Sequence, residues 1–167
     1  MADEDREALA RAQAALLAAL TGHEELPPGF DPERVRAATE ALAHKREHSV
    51  VATWPELARA LGAEFHPLFD RYAAEEPLPH EGGPMADGWR FARWLETQAR
   101  FPAAATLESL RVSLRFRPTA EGLIPRRGPV FRLRYLRPQR TLVLAIRWKP
   151  GRETWWRLRL PSRSNKP

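Results

Sequence analysis

The stretch VFRLRYLRPQR, Val130–Arg140, alternates apolar residues with arginine, and the reading of that alternation decides the fold of the second half of the chain. A period of two is the signature of a β-strand with one buried face, because successive side chains point to opposite sides of a sheet. The pattern predicts Phe131, Leu133 and Tyr135 pointing inward, with Arg132 and Arg134 pointing outward. It recurs in SLRFR at 113–117, LAIRW at 144–148 and WWRLRL at 155–160. Parity then sets Arg111, Arg115, Arg117, Arg132, Arg134, Arg147, Arg157 and Arg159 on one face, together with Val130, Val143 and Trp155. Like charges facing one another across strands are destabilising, so this face calls for an acidic neighbour, inside the molecule or outside it. The planar fork of arginine matches carboxylate and phosphate. Apolar islands between such forks suit a peptide or another protein. Arg132, Arg134, Arg147, Trp155, Arg157 and Arg159 are therefore the expected partner-binding residues.

The connections around these runs favour a meander. Arg137-Pro138-Gln139-Arg140 suits a hairpin built on a type I turn, and Lys149-Pro150-Gly151-Arg152 suits a type II turn, where glycine accepts the positive φ. Upstream, residues 103–109 suit a further turn or two of helix. Leu110, Val112, Leu114 and Phe116 then fall at strand spacing and predict one more strand before the loop IPRRGP. Residues 103–167 thus read as a basic antiparallel β domain of three to four strands, ending in a frayed tail, SRSNKP.

Residues 1–102 read as a helical domain of about five helices. ALARAQAALLAAL spaces Leu9, Gln13, Leu16, Leu17 and Leu20 along one stripe, with Gly22 as a stop, and the turn-rich ELPPGF follows. Asp31 before Pro32 and Glu33 is an N-cap with proline at the first helical position, opening a helix to about Val51. Thr53 and Glu56 have capping-box spacing ahead of Leu57, Ala58 and Leu61, and Gly62 ends that short helix. Phe65, Leu68, Phe69 and Tyr72 mark a fourth. Asp87 is positioned to cap a fifth carrying Trp89, Phe91, Ala92, Trp94 and Leu95. Helices followed by a sheet make the fold class α+β.

The net charge of +6 over 167 residues conceals a split. Residues 1–100 carry 11 Lys/Arg against 18 Asp/Glu, a balance of −7; residues 101–167 carry 16 against 3, a balance of +13. Such asymmetry fits a basic module that binds something acidic, or two halves docked on each other. The absence of cysteine excludes disulfides, thiolate metal sites and cysteine nucleophiles. The charged start MADEDREALARA is no secretory signal, and no apolar run approaches a membrane span. A soluble cytoplasmic protein without membrane contact is expected.

Chemistry-bearing motifs are sparse. The aromatics at 54, 65, 69, 72, 89, 91 and 94 have helical spacing and read as core. His44 and His48 are four apart on one helical face, a possible metal pair, but Lys45, Arg46 and Glu47 surround them and no matching ligand cluster is visible elsewhere. His66 and His80 sit beside prolines without an evident acid–base partner. Neither a nucleophile elbow nor a phosphate loop is present. No catalytic residue, metal site or cofactor is expected.

The run WPELARALGAEFHPLFDRYAAEEP, Trp54–Pro77, with ADGWRFARWLE at 86–96, resembles a bacterial DNA-binding-domain family of unknown function. The resemblance rests on Trp54, Pro55, Leu61, Gly62, Phe65, Tyr72, Phe91, Ala92 and Leu95, covers roughly residues 5–117, and is closest to a short variety with a basic β-rich C-terminal domain. It implies a non-catalytic companion of a barrel-type multinuclear non-haem iron oxidase in ribosomal peptide modification, binding the precursor peptide, the enzyme or both. A nucleic-acid-binding regulator is the alternative, motivated by the +13 half and by Trp155 among arginines.

Overall fold

The computed structural model describes residues 6–13, 15, 31–136 and 139–161. Residues 6–13 are helical, and Leu9 is exposed there. The rest of the expected first stripe (Leu16, Leu17, Leu20), the stop at Gly22, the ELPPGF turn, Arg137-Pro138 of the expected hairpin turn and the SRSNKP tail lie outside the described residues. The helical part continues with α1 (Pro32–Thr53), α2 (Pro55–Leu61), α3 (Phe65–Glu75) and α4 (Gly83–Thr97). Asp31 caps α1 by accepting from the Glu33 amide at 3.0 Å, and Gly62 ends α2 at φ +55°. Six of the seven aromatics expected in the core are buried there, with Trp89 packed at its margin. The Trp54 ring lies so close to Gly88 that a Cβ at that position would come within 2.2 Å of it, which makes glycine obligatory inside α4.

Two expected caps are used differently. Helix α4 begins at Gly83 behind a left-handed Gly82, so Asp87 lies inside the helix, completely buried. There its carboxylate accepts from Arg46 Nε at 2.7 Å, Arg46 Nη2 at 2.8 Å and the Tyr72 hydroxyl at 2.8 Å. Burial alone would lower the affinity of Arg46 for its proton, but the bond and charge of Asp87 reverse this. Tyr72 is pushed far above the ordinary phenol value, first by burial and then by Asp87. Thr53 and Glu56 form no capping box either. The Thr53 hydroxyl donates back to Ser49 O, and the amides of Glu56 and Leu57 donate to the Glu108 carboxylate at 3.1 and 2.8 Å.

Glu108 belongs to α5 (Thr106–Arg115), which overturns the strand expected from Leu110. The alternation of buried residues is real, but two interleaved helical stripes produce it. Glu108 and Val112, four residues apart, face the helical core. Leu107, Leu110 and Leu114, spaced by three and four, face the sheet. A helix buried on two sides mimics period two in sequence.

The strands form two antiparallel sheets: β1 (Phe116–Pro118) with β2 (Leu123–Pro125), and β3 (Val130–Leu136), β4 (Thr141–Lys149) and β5 (Arg152–Arg159) in that order. Gly151 takes φ +79° between β4 and β5, as the type II turn requires. The small sheet is tied to the helical part where Leu123 N donates to Glu81 O and Glu81 N to Glu121 O. Gly122 is needed there, because a Cβ would fall 1.9 Å from the Glu81 carbonyl oxygen. The fold is α+β: helices first, antiparallel sheets after them.

Candidate functional site

Register determines what each face of the larger sheet presents. One face carries the cross-strand rows Val130-Arg147-Glu153, Arg132-Ala145-Trp155, Arg134-Val143-Arg157 and Leu136-Thr141-Arg159. The other carries Phe131-Ile146-Thr154, Leu133-Leu144-Trp156 and Tyr135-Leu142-Leu158. The alternation is as expected, but the face turned to the rest of the molecule is the arginine face. Val130, Leu136, Val143 and Ala145 are buried against Leu110 and Leu114 of α5. Phe131, Leu133 and Tyr135, expected inside, are 57, 54 and 43% exposed. The physical reason is shape. Small Val143 and Ala145 on the central strand make a shallow floor for a helix, while Arg134, Arg157 and Arg159 on the flanking strands stay exposed.

This placement answers what lies against the arginines. Arg147 is 4% exposed and donates to the carbonyls of Leu114 and Arg126, so it braces the end of α5, although it was expected on a partner-binding face. Arg126 donates from Nε to Ser113 O and Phe116 O, serving the same helix end, where cations also suit the helix dipole. Burial and the charges of Arg132, Arg117 and Arg147 lower the proton affinity of Arg126. Arg111 and Arg115, expected on a strand, lie on α5. Arg111 sits over the ring of the half-buried Trp155 at 5.8 Å, and Arg115 grips Glu153 at 2.6 and 3.3 Å. Arg134, Arg157 and Arg159 are exposed and Arg132 is half-buried; none of the four has a carboxylate partner among the described residues. Arg132 and Arg134 help line a cleft of about 320 Å³ together with Arg126, Trp89, Phe101 and Leu110.

The outer face is the larger surprise. Besides Phe131, Leu133 and Tyr135 it exposes Trp156 and Leu158, with Trp148 exposed at the end of β4. Leu142, Leu144 and Ile146 are partly exposed between them. At roughly 200 Å² per large side chain, the exposed fractions of the six exposed side chains leave about 650 Å² of surface. The largest apolar patch on a monomer is usually about 300–600 Å², and one side of a standard protein interface is about 800 Å². The sequence held a sign of this surface in Trp155-Trp156: adjacent tryptophans in a strand put an indole on each face.

The histidines are also redistributed. The Nδ1 of His44 lies 3.4 Å from Glu47 Oε2. His66, expected without partners, has Glu47 Oε2 3.0 Å from Nδ1 and Asp70 Oδ2 3.4 Å from Nε2. The hydrogen bond and charge of Glu47, then the charge of Asp70, raise its proton affinity.

Among the described residues no helix is long and apolar enough to cross a membrane. The family model described as "SCO6045-like, C-terminal domain" matches residues 10–97. A UPF0276 protein of Streptomyces avermitilis is 40% identical over 110 residues, which make up 66% of this chain and 22% of that protein. The chain thus spans about a fifth of that relative's length. No solved structure matches.

Proposed function

From the premise that the chain belongs to the SCO6045-like C-terminal domain family, we propose that it is a non-catalytic partner protein, binding a multinuclear non-haem iron oxidase, its precursor peptide, or both, during peptide modification. The exposed apolar face of β3–β5 carries this reading. A surface of interface size, made of Phe131, Leu133, Tyr135, Trp148, Trp156 and Leu158, loses apolar hydration when a folded protein covers it. The relative supports the reading from another side: there the matching segment is a minor part of a much longer chain, and a domain held covalently beside a larger body acts at high effective concentration on it. On the opposite side of the sheet, the cleft lined by Arg126, Arg132 and Arg134 offers forks for the carboxylates of an extended peptide. The partner contributes by holding substrate close to the enzyme's reactive centre.

A nucleic-acid role fits less well. Exposed aromatics on a sheet are a stacking platform when cations beside them track the phosphates, but the outer rows hold Thr154 and apolar residues, and the strand arginines lie on the other face.

Co-purification with a barrel oxidase and its precursor tests the proposal. Leu133→Ser with Trp156→Ser should abolish capture of the enzyme, while Arg132→Ser with Arg134→Ser should weaken peptide capture and leave enzyme capture intact. Equal processing of the precursor without this chain refutes the partner role. Tight oligonucleotide binding that collapses between low and physiological salt, without peptide binding, makes the nucleic-acid reading the better one.

A further inference from the structure

Helices α1 and α3 cross with a set of side chains that the proposed partner role does not use. His44 and Glu47 lie three residues apart on α1, and His66 and Asp70 lie four apart on α3, so each helix presents two groups one turn apart on one stripe. We propose that His44, Glu47 and His66 bind a zinc-type divalent transition-metal ion, with Asp70 orienting His66 from the far side of its ring.

Two of the distances are close to those of a tetrahedral site. Bonds of about 2.0–2.1 Å to nitrogen and oxygen put neighbouring ligand atoms roughly 3.3 Å apart. Glu47 Oε2 lies 3.4 Å from His44 Nδ1 and 3.0 Å from His66 Nδ1, and the two imidazole centroids are 6.1 Å apart. Asp70 Oδ2 approaches His66 at the other nitrogen, Nε2, at 3.4 Å. A carboxylate there fixes the tautomer that leaves Nδ1 free to ligate, the arrangement seen around protein-bound zinc. The ligand atoms of Glu47, His66 and Asp70 all lie within 4.8 Å of one another, and the exposed imidazole of His44 turns toward them to complete the proposed set.

Exposure adds a second argument. The Glu47 side chain is 14% exposed and held in place, whereas those of His44 and His66 are 78 and 60% exposed. The imidazoles reach an ion from solvent over an anchored carboxylate, and a fourth position stays open. Two imidazoles and a carboxylate favour zinc over magnesium or calcium, which prefer oxygen alone.

The test uses the untagged chain after chelator treatment. Zn²⁺ should raise the melting temperature in a dose-dependent way, and Mg²⁺ should not. Co²⁺ should give the visible absorption of a four-coordinate site. His44→Ala and His66→Ala should each lose both responses while the metal-free melting temperature moves little, and Asp70→Asn should weaken affinity about 10–100-fold. No response to Zn²⁺, an equal response to Mg²⁺, or an undiminished Zn²⁺ response in the double His44→Ala/His66→Ala variant overturns the proposal. It stands independently of the partner role, since neither readout involves the oxidase or a peptide.

Discussion

Three leucines distinguish the two faces of the sheet, because the same Leu→Ala change is made in three settings. Leu114 is fully buried between α5 and the strands, Leu133 is 54% exposed on β3, and Leu158 is 62% exposed on β5. Truncating a buried leucine loses its transfer free energy and leaves a cavity, about 2–5 kcal/mol in total. Surface substitutions away from special features stay within about 0.5 kcal/mol. Leu114→Ala should therefore be the costly change, with Leu133→Ala and Leu158→Ala close to neutral in the isolated chain. Urea unfolding followed by tryptophan fluorescence measures this, provided the denaturant slope is unchanged among variants. The order reverses if the sheet buries Phe131, Leu133 and Tyr135 as their alternation with arginine suggests. A loss at Leu133 equal to that at Leu114 would refute the orientation and, with it, the docking surface.

Two further changes test the buried polar groups. Asp87→Ala removes the carboxylate that the Arg46 guanidinium and the buried Tyr72 hydroxyl share, leaving them only backbone carbonyls, at a cost of about 3–5 kcal/mol, seen in thermal melts as a drop on the order of 10 °C; a loss below about 1 kcal/mol would show that the site relaxes around the gap. Glu108→Ala should cost about 1–2 kcal/mol as a lost helix cap, and a loss no larger than a surface change would deny it that role. Burial raises the Glu108 carboxyl above its ordinary 4.5, against the two amides that donate to it. The folded state then holds that proton more tightly, so this group's stabilising contribution is complete below 4.5 and lost as pH rises through the folded value. Glu108→Gln should remove that slope from a pH series of melting temperatures, and an unchanged slope would exclude Glu108 as its source.

Local chemistry made much of the helical half legible. Asp31-Pro32, Gly62 and the aromatics from Trp54 to Trp94 state caps, a stop and a core within a few residues of where they act. What was not legible depends on partners distant in sequence. Glu108 caps a helix more than fifty residues upstream, Asp87 is claimed by Arg46, and His66 meets His44 through Glu47. Alternation gave the parity of β3, β4 and β5 correctly, but parity names two faces without saying which is covered. That choice lay in the small residues Val143 and Ala145 and in a helix that sequence spacing disguised as a strand.

That helix, α5, has a consequence for how the chain comes apart. It presses Leu110 and Leu114 into the sheet, Val112 into the helical core, and the Glu108 carboxylate onto two amides of α2. A fragment ending at residue 102 would lack this shared wedge and expose the hydrophobic surface it covers. Amide hydrogen exchange at Glu56 and Leu57 would then accelerate far from any cut end. Those two backbone protons are internal gauges of whether α5, whose other side packs on the sheet, is in place.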